Sequence, residues 1–233
     1  MTAPVEINSD QRLALVSAAF EGAPLHILKQ GQFLNASAAV LRLEKGCAGR
    51  VQRLADGRTQ ILGLFIAGDL LGLREQFGLA AGGEIECLSS RAEVRSRATE
   101  TLKQMVGEET LDRAARQRTV DDERINADRL VALGRGMSDE RYAGFLLEMR
   151  ERMLRSGKLA EPGLEFDIPL TQEQLGDYLG LSTVHVNRTV KKLASRAIAT
   201  REGWRVRIQN LDALTGLASA ILKAVPRRPA IAS

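Results

Sequence analysis

A chain of 233 residues with 44% hydrophobic and 27% charged side chains has the balance of an ordinary folded protein and the length for two compact cores, which excludes a disordered polymer. No run approaches the roughly 18 apolar residues of a membrane helix, and Glu6, Asp10 and Arg12 interrupt the start, so neither a membrane span nor a signal peptide is expected. The net charge of +4 is unevenly placed: residues 170–233 hold ten basic and four acidic side chains, either a surface for a polyanion or a solvated basic face.

The first hundred residues read as β-rich. AVLRLEKGCAGRVQRL, ADGR, TQILGLF and IAGD alternate short apolar runs with glycine turns, and Asp56-Gly57 between two runs is a hairpin signal, since glycine accepts the positive φ of a tight turn. Turn signals at short, regular intervals predict a small antiparallel roll or sandwich. The two cysteines, Cys47 and Cys87, lie 40 residues apart in no CxxC motif, arguing for a reducing compartment, the cytoplasm, and against a disulfide framework.

TLDRAARQRTVDDERINADRLVAL then reads as one long, highly charged helix. Leu111, Ala114 or Ala115, Ile125 and Ala132 draw a thin apolar line at near-heptad spacing. So polar a helix bridges domains, pairs with a second copy, or is a solvent-washed linker. After Gly134-Arg135-Gly136, Ser138 is placed to cap a second helix whose Tyr142, Phe145, Leu146 and Met149, with Met153 or Leu154, form an amphipathic core stripe.

The most informative stretch is LTQEQLGDYLGLSTVHVNRTVKKL, residues 170–193. Thr171 with Gln174 fits a capping box, and Leu175, Tyr178 and Leu179 give the short helix one apolar side. Gly180 supplies the left-handed backbone of a sharp corner, and Ser182 caps the next helix. There Val186, Val190 and Leu193 are expected to face inward, leaving Val184, Arg188 and Lys191 outward with Asn187 and Lys192 at the flanks. This pattern is a helix-turn-helix with an exposed second helix that fits a major groove. Arg188 offers a fork matched to guanine O6 and N7; Ser182, Thr183 and His185 near the helix start suit phosphates or bases; Lys191 and Lys192 suit phosphates. AIATREGWRVRIQN forms a hairpin around Glu202-Gly203 with Arg201, Arg205 and Arg207 nearby, a basic wing in which Trp204 is read as a packing residue. With Thr171 at the head of the first helix and Arg201 in the wing, these are the candidate DNA-binding residues. A helical hairpin used for protein contacts is the alternative.

The 170–193 segment resembles the DNA-binding segment of the Crp/Fnr family of bacterial regulators, and STVHVNRT is similar to a branch common among α-proteobacteria. GCAGRVQRLADGRTQILGLFIAGDLLGL looks like the middle of the family's sensory roll, and the 111–134 helix resembles its dimerisation helix. The resemblance implies an α+β protein: an N-terminal antiparallel β-roll resembling cyclic-nucleotide-binding jelly rolls over 1–107, a dimerisation helix over 108–136, a winged helix-turn-helix over 137–223 and a basic tail over 224–233. It further implies a homodimer that reads an inverted repeat in double-stranded DNA through recognition helix 182–195, with RNA polymerase as a partner. Thr183, Val184 and Arg188 hold its specificity positions. Many relatives carry glutamate where Val184 stands; valine accepts no hydrogen bond and meets at most a thymine methyl group.

The sensory roll departs from its cyclic-nucleotide-binding relatives. Their ribose-binding glutamate falls on Leu73, and their phosphate-binding pair on Gly82-Gly83, so no cyclic AMP site is expected. An N-terminal cysteine cluster for iron–sulfur ligation is missing, and His26 and Cys47 read as ordinary residues rather than haem ligands, so no cofactor or metal is expected. A redox response through Cys47 or Cys87 stays open, as does an effector-dependent sensor (redox, haem or small molecule) whose DNA binding needs a ligand. With two histidines and no nucleophile elbow, phosphate loop or metal-spaced cluster, the chain is not expected to be an enzyme.

Overall fold

The computed structural model describes residues 8–34, 39–79 and 82–222, so the basic tail expected over 224–233 lies outside the described residues. The chain divides into two compact units at Arg124 and Ile125.

The first unit begins with α1 (Ser9–Ala18), opened by a reciprocal cap in which the Asn8 side chain accepts from the Gln11 amide at 2.9 Å and the Gln11 side chain accepts from the Asn8 amide at 3.0 Å. Seven strands follow: β1 (Leu25–Lys29), β2 (Ala39–Lys45), β3 (Cys47–Arg53), β4 (Thr59–Ile66), β5 (Leu70–Leu71), β6 (Glu84–Cys87) and β7 (Arg91–Ala98). They make two antiparallel sheets, one ordered β1-β7-β2-β5 and one ordered β4-β3-β6. The chain crosses between the sheets at Gly46, whose φ is +89° and whose missing Cβ would stand 2.6 Å from the Arg91 carbonyl oxygen. The Asp56-Gly57 turn joins β3 to β4 as the sequence predicts: Gly57 has φ +87° and Asp56 accepts from the Arg58 amide at 3.1 Å.

Two apolar clusters fill the unit. Leu43, Ala48, Phe65, Leu71, Ile85 and Val94 pack with Cys87 inside the strands. Phe20, Val40, Leu73 and Leu102 pack against Leu111, Ala114 and Ala115, with Leu102 from α2 (Thr99–Val106) and the last three from the start of α3 (Glu108–Arg135). Leu73 is only 2% exposed in that cluster. Arg50, whose guanidinium lies 3.5 Å from the Gly83 carbonyl, is ion-paired to Glu75. Both thiols are buried, and burial pushes the Cys87 thiol up from its ordinary pKa.

This packing corrects the apolar line proposed for the long helix. Leu111, Ala114 and Ala115 are fully buried in the roll, so they are not available to a second copy. Below them α3 is held to the roll by charge, with Asp122 paired to Arg74 at 2.8 Å and Arg118 to Asp69 at 3.5 Å. The apolar residues left exposed on α3 lie on a different stripe: Val120 (60%), then Ala127 seven residues on, and from it Leu130 (72%), Val131 (49%) and Gly134 at steps of three and four.

The second unit contains the remainder of α3, then α4 (Ser138–Arg155), β8 (Glu165–Asp167), α5 (Gln172–Leu179), α6 (Thr183–Ser195), β9 (Ala199–Glu202), β10 (Arg205–Ile208) and α7 (Leu211–Leu222). The last three strands form a sheet ordered β8-β10-β9. Tyr142, Phe145, Leu146 and Met149 of α4 are buried, as their spacing predicts. Ser138 is already helical; the cap position belongs to Met137, whose amide donates to the Glu140 carboxylate at 2.7 Å.

Leu111→Ala should therefore lower stability by about 2–5 kcal/mol, as a large-to-small change in a packed core. Val120→Ala on the exposed stripe should change the stability of the isolated fold by less than about 0.5 kcal/mol, the comparison being made by urea unfolding.

Candidate nucleic-acid interface

α5 starts at the predicted capping box: the Thr171 hydroxyl accepts from the Gln174 amide at 3.1 Å, and the Gln174 side chain accepts from the Thr171 amide at 2.8 Å. Leu175, Tyr178 and Leu179 bury its apolar side. Gly180 ends it in the left-handed region, φ +64° and ψ +40°, and a Cβ there would lie 2.8 Å from the Leu133 side chain. The left-handed backbone is what favours glycine at the corner; a Cβ there would in addition displace the end of the Leu133 side chain. Ser182 then caps α6, accepting from the His185 amide at 3.3 Å while its hydroxyl meets His185 Nδ1 at 2.7 Å.

Val186, Thr189 and Leu193 form the buried face of α6, at 1%, 3% and 0% exposure. Val190, expected among them, is half-buried, and the threonine one residue earlier takes the inward place. Thr183, Val184, His185, Arg188 and Lys191 are exposed, with Val184 at 58%. Asn187 is half-buried, and its amide donates to the Gln172 side chain at 3.4 Å, bridging the two helices. Among the described residues, neither Arg188 nor Lys191 forms an ion pair.

The other cations assigned to this face have protein partners. Lys192 Nζ meets Asp139 Oδ2 at 2.6 Å, fastening α6 to the first turn of α4. The Lys192 hydrogen bond holds the largely buried Asp139 carboxyl below its ordinary range. Arg201 points inward and donates to the Leu170 carbonyl just before α5; burial lowers its pKa. Arg205 pairs with Glu165 at 2.9 Å and Arg207 with Glu165 at 3.0 Å, so strand β8 neutralises the wing. Trp204, read from sequence as a packing residue, sits at the turn between β9 and β10 and is 49% exposed; its carbonyl accepts from the Ile168 amide at 2.8 Å, which ties down the backbone and leaves the ring outside. None of these partners has a local sequence signal: Asp139 stands 53 residues before Lys192, and Glu165 stands 40 before Arg205.

Behind the helices lies Tyr178, 2% exposed, whose hydroxyl donates to Glu148 at 3.1 Å and accepts from Arg129. The Arg129 guanidinium also stands 4.2 Å over the tyrosine ring, and Arg152 meets Glu148 at 3.1 Å. Burial pushes the Tyr178 hydroxyl pKa well up, so it stays a neutral hydrogen-bonding group.

A β-roll, a long helix and a winged helix-turn-helix, in that order, define a class of bacterial regulators. Residues 140–217 match the Crp-like helix-turn-helix domain. The nitrogen fixation regulation protein FixK of Bradyrhizobium diazoefficiens is 31% identical over 165 residues, 69% of this chain and 63% of that protein, so the match spans somewhat under two thirds of that relative's length. The transcriptional activatory protein AadR of Rhodopseudomonas palustris is 28% identical over 187 residues, 78% of this chain and 74% of its own. The structure of FixK2 from Bradyrhizobium japonicum superposes with a TM-score of 0.69 at 26% identity, covering 84% of this chain and 96% of that one. The chain belongs to the Crp/Fnr family of transcription regulators and carries its helix-turn-helix DNA-binding domain. The relatives it matches are transcription regulators. No helix among the described residues is long and apolar enough to cross a membrane.

Lys192→Met should destabilise the second unit by about 1 kcal/mol at neutral pH, the scale of a partly exposed ion pair. The Asp139 pKa is depressed below its ordinary 3.8 in the folded chain, so the pair contributes fully above that value and its contribution is lost as pH falls through the lower folded value. The stability gap between wild type and variant should accordingly narrow when urea unfolding is repeated near pH 3.

Proposed function

We propose that the chain is a sequence-specific transcription regulator that binds an inverted-repeat site as a homodimer, reading each half-site through the recognition helix, and that it does so without cyclic AMP. What carries this reading is the exposed face of α6. Thr183, Val184, Arg188 and Lys191 stand together on it, and Arg188 and Lys191 keep their charge unspent while neighbouring cations are paired. In this arrangement Arg188 holds a guanine through O6 and N7, Lys191 takes a phosphate, and Val184 lies against a thymine methyl or an empty groove edge. Ser182 and His185 hold the start of the helix, where backbone amides and the helix dipole favour a phosphate. Thr171, Asn187, Lys192 and Arg201 keep the two helices and the wing in register, an indirect contribution to the interface.

The homodimer reading is supported by the stripe of Val120, Ala127, Leu130 and Val131 on α3, an apolar seam on an otherwise charged helix. Independence from cyclic AMP is supported by the loop's residues: Leu73 is core, Gly82 and Gly83 have no side chains, and Arg50 is already matched by Glu75. A cyclic phosphate placed there would lose its hydration without a free cation to replace it, at a cost of several kcal/mol. A regulator of this kind works in the cytoplasm, with RNA polymerase as the partner it acts upon.

Selection from random duplex DNA by the purified, ligand-free protein should enrich an inverted repeat with half-sites about one helical turn apart. On that site Arg188→Ala should cost about 1–3 kcal/mol and relax base choice at one position per half-site. A uniform loss on all sequences would make Arg188 a phosphate contact only, and no enrichment from a folded protein would overturn effector independence. Cyclic AMP at millimolar concentration should leave the melting temperature unmoved, because a ligand that binds only the folded state must raise it.

A further inference from the structure

Arg141, in the first turn of α4, directs its guanidinium at carbonyl oxygens from two other parts of the second unit. Nη2 donates to Leu133 at 2.8 Å, in the last turn of α3, and Nε donates to Gly136 at 3.0 Å, in the short link that follows. Nη1 donates to Leu179 at 3.1 Å and reaches Gly180 at 3.3 Å, the end of α5 and the corner of the helix-turn-helix. The final carbonyls of a helix have no partner within it, and the negative end of the helix dipole attracts a cation. Here one cation serves two such ends. The contact is close on the Gly136 side, where a Cβ would stand 3.2 Å from the Arg141 side chain, and of ordinary closeness on the Gly180 side, where a Cβ would stand 3.4 Å from Nη1.

We infer that Arg141 is a positioning residue that sets the orientation of the reading head against the end of the long helix, and thereby the half-site spacing that the dimer accepts. This rests on the reading of the chain as a dimer bound to an inverted repeat. Apolar packing between α4 and α6 is non-directional and tolerates small rotations. A planar fork bonded to carbonyls on both sides fixes direction, and a lysine ammonium, a single point of charge, cannot span the same oxygens. Since a helical turn of 10–10.5 base pairs rises about 34–36 Å, one inserted base pair shifts a half-site by roughly 3.4 Å and rotates it by about 34°. A head free to swivel loses part of its penalty for that shift.

The test uses the full chain, wild type against Arg141→Lys, with Arg141→Gln as a second variant should the first fold poorly. Binding is measured on the selected site and on the same half-sites with one base pair inserted or removed. The wild type should discriminate sharply, whereas the variant should lose about tenfold of that discrimination while keeping its preference among half-site bases. An unchanged spacing preference overturns the inference. Hydrogen exchange without DNA reads the clasp by itself: amides of 134–137 and 180–186 should exchange about tenfold faster together in the variant, with the α4 core unchanged. Unchanged exchange at both segments also overturns it. If the wild type selects no site while the two segments still respond together, the DNA reading fails and the clasp stands.

Discussion

A hydroxyl that cannot reach water governs the second unit. Tyr178 lies on the inner side of the short helix that begins the helix-turn-helix, and its oxygen must be satisfied from within. Glu148 of α4 and Arg129 of α3 do so, one accepting and one donating, and Arg152 balances the glutamate. Three helices are therefore fixed to one polar atom whose bonds have direction, inside an apolar surround that has none. Phe145, with its ring 5.3 Å from that of Tyr178, closes the same space. Such a network is worth most when complete, because removing any member leaves a buried polar group unpaired. It allows an eight-residue helix, too short to be stable alone, to serve as a rigid platform.

Charge follows the same logic and alters what a residue count suggests. The last quarter of the chain is strongly basic in sequence, yet much of that charge is used inside the protein. Lys192 faces Asp139, Arg205 and Arg207 face Glu165, and Arg201 faces a backbone carbonyl. The acidic partners belong to segments that sequence bookkeeping assigns elsewhere. Among the described residues, what stays outward on the middle of α6 is one arginine and one lysine, bordered by threonine and valine, with Arg196 exposed just past the helix end.

Features with short sequence range were legible. The Thr171 box, the Gly180 corner, the Ser182 cap and the Asp56-Gly57 hairpin each depend on four or five neighbouring residues, and all appear where the pattern places them. The α4 stripe was equally readable from its period. The long helix was legible as a helix, but a heptad count finds apolar residues without showing which of them the roll will claim, and Leu111, Ala114 and Ala115 went to the roll. Val190 and Thr189 exchanged places because adjacent positions differ by 100° and the buried face centres between them. Trp204, at the hairpin tip, is held through its backbone carbonyl and stays 49% exposed, a degree of exposure its hydrophobicity alone does not indicate.

The burial of both thiols has a practical side. Cys47 is 1% exposed and Cys87 fully covered, each within the strands of the roll. A bulky thiol reagent meets neither while the roll is closed, so modification records opening of that unit and nothing else. The second unit contains no cysteine. A single cysteine introduced on its surface would carry a spectroscopic label in an otherwise silent background, and the native pair would not need to be removed first.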